Sequence, residues 1–170
     1  SLASAFRLAP GTDFQVLADR TDKRGYRYVH LRQLHGRVPV QGGEIAVQID
    51  DDGSVIAAVG ELVPDLQMAS RGSMGGTDAV NRALSGVART AIKFHEQPTQ
   101  FVYVDERGAA TLTWRAVVEF KGDKGRVFET IFVNADSGAI VAEHTRIHTA
   151  LNRQMYDMKS ACLQTGSELP

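Results

Sequence analysis

Apolar and polar positions alternate with a period of two along most of this chain, and one stretch carries a helical period instead. Residues 26–34, YRYVHLRQL, alternate with a phase slip between Tyr28 and Val29, which suits a half-buried strand. In EIAVQID the side chains Ile45, Val47 and Ile49 share one face. Asp51, Asp52 and Gly53 tolerate the torsions of a tight turn, and SVIAAVGELV returns as the partner strand of a hairpin. Between these strands stands HGRVPVQGG: Pro39 has no donor for a ladder and Gly42-Gly43 opens backbone torsions closed to other residues, so an edge, bulge or bend is expected there. Residues 12–19, TDFQVLAD, fit either a short helix or an extra strand.

After SRGSMGG (70–76), a glycine- and serine-rich linker candidate, Thr77 or Asp78 has the character of a helix N-cap. Ala79, Val80, Ala83, Leu84, Val87, Ala88, Ala91 and Ile92 then form an apolar stripe at helical spacing. Beyond Pro98 the period returns to two in QFVYV, ATLTWRAVVEF, RVFETIFV and AIVAEH, separated by glycine-marked turns. Four such strands in series predict an antiparallel meander with the helix across one face.

Composition narrows the function. The chain has 170 residues, enough for one ordinary domain or two small ones. Its 19 basic and 20 acidic side chains nearly cancel, so no field favours nucleic acid or anionic lipid. No apolar run nears the roughly 18 residues of a membrane helix, and SLASAFRLAPG lacks the parts of a signal peptide, so a soluble chain is expected, with any leader removed upstream. Cys162 is the single cysteine, either a bystander thiol or the partner of a cysteine outside this chain.

HLRQLHGRVPVQGGEIAVQIDDDGSVIAAVG resembles the propeptide module of fungalysin and thermolysin precursors, with Gln33, Gly36, Val38, Pro39, Val40, Gly42, Gly43 and Gly53 on the pattern. Residues 77–146 look like the PepSY domain that follows it, including the ending carried by Val133, Ala135, Gly138 and Ile140. The tail NRQMYDMKSACLQTGSELP is similar to the junction with the mature protease. The resemblance implies a secreted or periplasmic pro-region that is itself no enzyme and acts as intramolecular chaperone and inhibitor of a cognate metalloprotease domain in the same precursor. Zinc, and calcium with it, would belong to that partner and no cofactor to this chain. Cys162 would then lie on the protease side of the junction and pair downstream.

The implied architecture is α+β: two small antiparallel-sheet domains, each with a helix packed on its sheet in a cystatin-like manner. The segments are 1–69 (propeptide-like), 70–76 (linker), 77–146 (PepSY-like) and 147–170 (inhibitory and processing segment, then protease-like tail). Ile147, His148, Thr149, Ala150 and Leu151 are expected to enter the protease cleft and contain or adjoin the processing bond. Thermolysin-like enzymes favour an apolar residue just after the bond cut, which points to Ala150-Leu151 first and Thr149-Ala150 second.

HTRIH (144–148) imitates a zinc-binding helix, and Glu168 stands where a third ligand would fall. The residue after the first histidine is Thr145, however, where the chemistry requires a glutamate base. Asp50, Asp51 and Asp52 lack the spacing of a calcium loop, and Trp114, Phe120, Phe128 and Phe132 sit at core-like strand positions. His95 is expected near a helix end. The alternatives to a pro-region are a free-standing secreted module that binds a peptidase or a peptide, and an enzyme with a degenerate metal site.

Overall fold

The computed structural model describes residues 6–9, 12–68, 72–85, 91–122 and 125–146. Strands β1 (Asp13–Thr21), β2 (Arg27–His35), β3 (Val38–Ile49) and β4 (Val55–Glu61) precede the helix α1 (Gly76–Ser85). Strands β5 (Ala91–Phe94), β6 (Thr99–Val104), β7 (Ala110–Gly122), β8 (Gly125–Asn134) and β9 (Ile140–Thr145) follow it. Among the described residues all nine strands join one sheet, in the order β1-β2-β3-β6-β7-β8-β9, with β4 on β3 and β5 on β7.

The alternating segments form the expected elements. β6 to β9 pair in sequence as an antiparallel meander, and α1 lies against β7 and β8. β3 and β4 make the expected hairpin, from Glu44↔Glu61 to Ile49↔Val55. At its turn Gly53 has φ +87°, and the Asp50 and Ser54 main chains close the end with a 2.8 Å hydrogen bond.

The expected architecture of two sheet domains, each with its own helix, does not hold. The first half has no helix among its described residues, and the sheet runs through β3 into the second half. Residues 13–21 form β1, because Phe14 and Val16 stand two apart and β2 supplies a ladder broken only between Val16 and Ala18. The helix also ends earlier than its apolar stripe suggests. Its described part is Gly76–Ser85. Ala91 and Ile92 belong instead to β5, so His95 follows a strand and not a helix.

The sheet becomes continuous at the predicted bend. β2 pairs with β3 from Arg27↔Ile49 to Arg32↔Glu44, and pairing resumes at Leu34↔Pro39 and His35↔Val38. Residues 40–43 are thus skipped on the β2 side, and Val40 pairs in parallel with Val102 of β6. This is a bulge used as a corner. Gly42 has φ +79°, and the two-residue turn before the corner has Gly36 at φ 54° and Arg37 at φ 70°, as a type I′ hairpin requires.

Three apolar clusters follow the same plan. Ile45, Val47 and Leu62 bury beneath the first half, with Phe6, Leu8, Phe14 and Leu31 around them. Ala79, Val80 and Ala83 of α1 bury against Ala116, Val118, Phe120, Ile131 and Val133. Between the two, Val38, Val40, Leu66, Val102, Leu112 and Ala135 pack as one cluster that belongs to both halves. Residues 72–76 are held against the second half: the Met74 N–H donates to the Ala135 carbonyl at 2.9 Å and the Trp114 indole donates to the Met74 carbonyl at 3.0 Å.

The β3–β4 turn carries a pH signature. The Ser54 N–H donates to Asp52 Oδ1 at 2.7 Å, and this backbone hydrogen bond holds the Asp52 carboxyl below its ordinary range. A lowered folded-state pKa means that the charged form favours the fold. That contribution is present above the unfolded pKa and is lost as pH falls through the lowered folded value. The Ser54 amide resonance is therefore expected to titrate with its midpoint below the ordinary aspartate value of about 3.9, and Asp52→Asn to abolish the step. A midpoint at or above that value would contradict the assignment.

Candidate docking surface

The structure brings the motif residues of 33–43 to one place. Gln33 is 1% exposed and sits opposite the corner in β3. Its amide reaches the chain beyond β4 in both senses: Nε2 donates to the Val63 carbonyl at 2.8 Å, and the Val63 N–H donates to Oε1 at 2.8 Å. Gly43 packs directly on this amide, for a Cβ there would stand 3.0 Å from Gln33 Oε1 and 3.2 Å from the Val40 Cβ. Val40 is fully buried, Pro39 begins the corner and Gly36 makes the turn before it. Gln33, Gly36, Pro39, Val40, Gly42 and Gly43 are thus absorbed by architecture. The segment Ile147, His148, Thr149, Ala150 and Leu151 lies outside the described residues, as do Cys162 and Glu168.

One face of the bent sheet carries the polar and aromatic groups that the bend assembles. Arg32 stands directly across the ladder from Glu44, and its guanidinium donates to Glu44 Oε1 from Nε at 2.9 Å and from Nη2 at 2.7 Å. His30 Nε2 lies 3.1 Å from the other oxygen, so both oxygens of Glu44 are engaged. Past the corner, Arg32 and Arg115 lie over the Phe101 ring at 5.9 and 5.5 Å. Phe132 contacts Phe101, Tyr103 and His144 at ring separations of 6.4, 5.1 and 5.7 Å. A shallow hollow of about 360 Å³ lies among Arg32, Glu44, Arg115, Phe132 and His144. A second hollow of about 480 Å³, mainly apolar, crosses the first half over Tyr28, Ala46, Ala57 and Val59.

These groups do not compose a catalytic centre. His144 lies in β9, so the first member of the HTRIH pair is in an extended chain, where its ring meets Tyr103 and Phe132. Among the described residues no three metal-ligating side chains converge. His95 is 2.9 Å from Glu119 Oε2, with Arg126 3.3 Å from the other oxygen and the Phe128 ring 5.1 Å from the imidazole. This ion-pair cluster secures the end of β7 and offers no nucleophile. Phe120 and Phe132 are core residues, as their spacing predicts.

Sequence reading missed the Arg32–Glu44–His30 group and the Arg115 site. The local signal was present, since His30 and Arg32 are two apart and share one strand face. Their partner Glu44 could be placed only with the register, which skips residues 40–43.

The free edges of the sheet differ in chemistry. β1 carries Asp13, Asp19 and Arg20 and a register shift between Val16 and Ala18, and Asp19 is paired with Arg27. β9 carries Glu143 and His144. β4, VIAAVGE, has no charge before Glu61, and Val55, Ile56 and Val59 are 54%, 50% and 73% exposed. No described strand pairs with its outer side.

Residues 12–62 match the family described as Fungalysin/Thermolysin Propeptide Motif. A search of curated proteins returned no match. Among solved structures, the chain is similar to the Bacillus megaterium YpeB C-terminal domain, with TM-score 0.44 and 12% identity. That similarity covers 78% of this chain and 56% of the other. No helix in the described residues is long and apolar enough to cross a membrane.

Proposed function

We propose that this chain, whose residues 12–62 carry a fungalysin/thermolysin propeptide motif, is the non-catalytic pro-region of a secreted thermolysin-like zinc protease. It serves the catalytic domain of the same precursor as folding template and as inhibitor. The match of residues 12–62 carries the reading, and the way the motif residues are spent supports it. Gln33, Gly43 and Val40 fix a corner that sets two sheet halves at a defined angle, which suits a surface meant to fit another domain and requires no reacting group. Zinc, with calcium, belongs to the partner. The division into 1–69, 70–76, 77–146 and 147–170 remains the working map for shortened chains.

Inhibition falls to residues 147–151. β9 ends at Thr145, and the Arg146 N–H still donates to the Phe128 carbonyl at 2.7 Å, so the sheet delivers the chain to Ile147 from a fixed point. With Ile147, His148, Thr149, Ala150 and Leu151 in the cleft, cutting at Ala150-Leu151 leaves a new carboxylate, a good zinc ligand, at the metal. The docked sheet keeps that carboxylate at high effective concentration, so the cut product stays bound.

The test compares the full chain with a chain ending at Arg146, which keeps β9 whole. The shorter chain is expected to inhibit the catalytic domain about 100-fold less, since loss of one linked site removes that order of avidity. N-terminal sequencing of the processed enzyme should begin at Leu151 or Ala150. Equal inhibition by both chains, or processing far from 147–151, would assign the block to the sheet surface instead. Failure of the full chain to bind the catalytic domain at all would end the pro-region reading.

A further inference from the structure

We propose that the outer edge of β4 is the docking edge of the chain, and that it adds an extended segment of the catalytic domain to the sheet. The segment is apolar at alternate positions and carries a lysine or arginine opposite Glu61. This rests on the pro-region reading for the identity of the partner.

An open strand edge presents unpaired N–H and C=O groups, and folded proteins blunt such edges with charge, proline, bulges or cover. β1 shows the blunting within this molecule, with three charged residues and a register shift. β4 has a register shift of its own, which leaves Ile56 unpaired, but it has no proline, no lysine and no charge over its first six residues, and Val55, Ile56 and Val59 stay exposed. Val59 stands across from Ala46 and Val55 across from Ile49, positions of opposite parity in β3, so Val59 and Val55 lie on opposite faces. Residues of one added strand would therefore meet apolar side chains on both faces, which a ligand lying on one face of the sheet would not.

Glu61 supplies the charge of the partner. It stands directly across the ladder from Glu44, a like-charge pairing that disfavours the hairpin. Both oxygens of Glu44 are engaged by Arg32 and His30, and among the described residues no cation reaches Glu61. A basic residue on the added strand would complete the row. A second copy fits less well: antiparallel pairing of β4 with itself about Ala58 places Glu61 opposite Val55 and leaves both carboxylates without cations.

The test uses the full 170-residue chain, the catalytic domain, and the variants Glu61→Lys and Val59→Lys. Amides of residues 55–61 are expected to exchange at least about tenfold more slowly in the complex than in the free chain. Glu61→Lys should weaken binding by about tenfold or more, as loss of a complementary charge pair does, while its melting temperature holds or rises because the clash with Glu44 is gone. Weaker binding with no loss of stability is a signature that a merely structural glutamate would not give. Val59→Lys should weaken binding similarly. If the wild-type chain inhibits but 55–61 gain no protection and both variants bind as well as it does, the docking edge is wrong and the pro-region reading survives. Concentration-dependent self-association that protects 55–61 without the protease would overturn it in favour of a second copy. A wild-type chain that neither binds nor inhibits overturns both.

Discussion

Replacing Gln33 with leucine is expected to cost the fold about 2 kcal/mol, although the two side chains are similar in size. The loss comes from two main-chain groups. Gln33 accepts from the Val63 N–H and donates to the Val63 carbonyl, both at 2.8 Å, and is itself 1% exposed. Leucine satisfies neither group of the half-buried Val63, and each hydrogen bond lost costs about 0.5–1.5 kcal/mol. Gly43 gives an independent check. A methyl there would stand 3.0 Å from Gln33 Oε1, so Gly43→Ala must push the amide off Val63 and should cost about 1–3 kcal/mol by overpacking. Once Gln33 is alanine, the contact with Oε1 is gone, although the methyl still stands 3.1 Å from the residue-33 Cβ and 3.2 Å from the Val40 Cβ. The two losses should then fall short of additivity by about 1 kcal/mol or more, as residues in direct contact do. Urea unfolding followed by Trp114 fluorescence measures wild type, Gln33→Leu, Gln33→Ala, Gly43→Ala and the Gln33→Ala/Gly43→Ala double. A Gln33→Leu chain within about 0.5 kcal/mol of wild type, the range of an ordinary surface change, would show that the amide bonds do not hold the corner.

The elements were legible where period decided them. β6 to β9 and the β3–β4 hairpin follow from alternation and glycine-marked turns, and the face of α1 follows from Ala79, Val80 and Ala83. Residues 12–19 were ambiguous because Phe14 and Val16 are two apart while Leu17 and Ala18 follow directly, a pattern that favours neither period; β2 decided the matter by offering a ladder. The single sheet was illegible for another reason. It depends on Val40 turning from β2 to β6, a non-local pairing that no local pattern encodes. Pro39, Gly42 and Gly43 announced a corner without announcing what lay around it. The docking groups divide similarly. Val55, Ile56 and Val59 could be read as a strand, but its outer side is known to lack a described partner only from the sheet order.

Val40→Asp should be the most damaging single change at the corner, costing about 4 kcal/mol and lowering the stability of both halves together. Val40 has no exposed surface and packs with Leu66 from the segment after β4, Val102 from β6, Leu112 from β7 and Ala135 after β8. A carboxylate there has no cation in its cluster, and an unpaired buried charge costs about 3–5 kcal/mol. That is a large share of the roughly 5–15 kcal/mol that holds a domain folded. Because the cluster draws on strands from both halves, the loss is shared between them. Trp114, the chain's single tryptophan, reports on the second half, while exchange of the Ile45 and Val47 amides reports on the first. Both probes should shift to the same lower midpoint in Val40→Asp, and by about 2 kcal/mol in Val40→Ala, where only packing is lost. Two separate transitions, with Trp114 unmoved, would mean that the halves fold independently and meet only by contact. Under the proposed pro-region role, the distinction bears on inhibition. β4 stands on the first half and β9 hands the chain to Ile147 from the second, so only a corner that holds the halves as one body can present both to a single protease at a fixed separation. A Val40→Ala chain should therefore lose inhibition in excess of its lost stability when assayed below its unfolding midpoint, because the two contacts no longer reinforce each other.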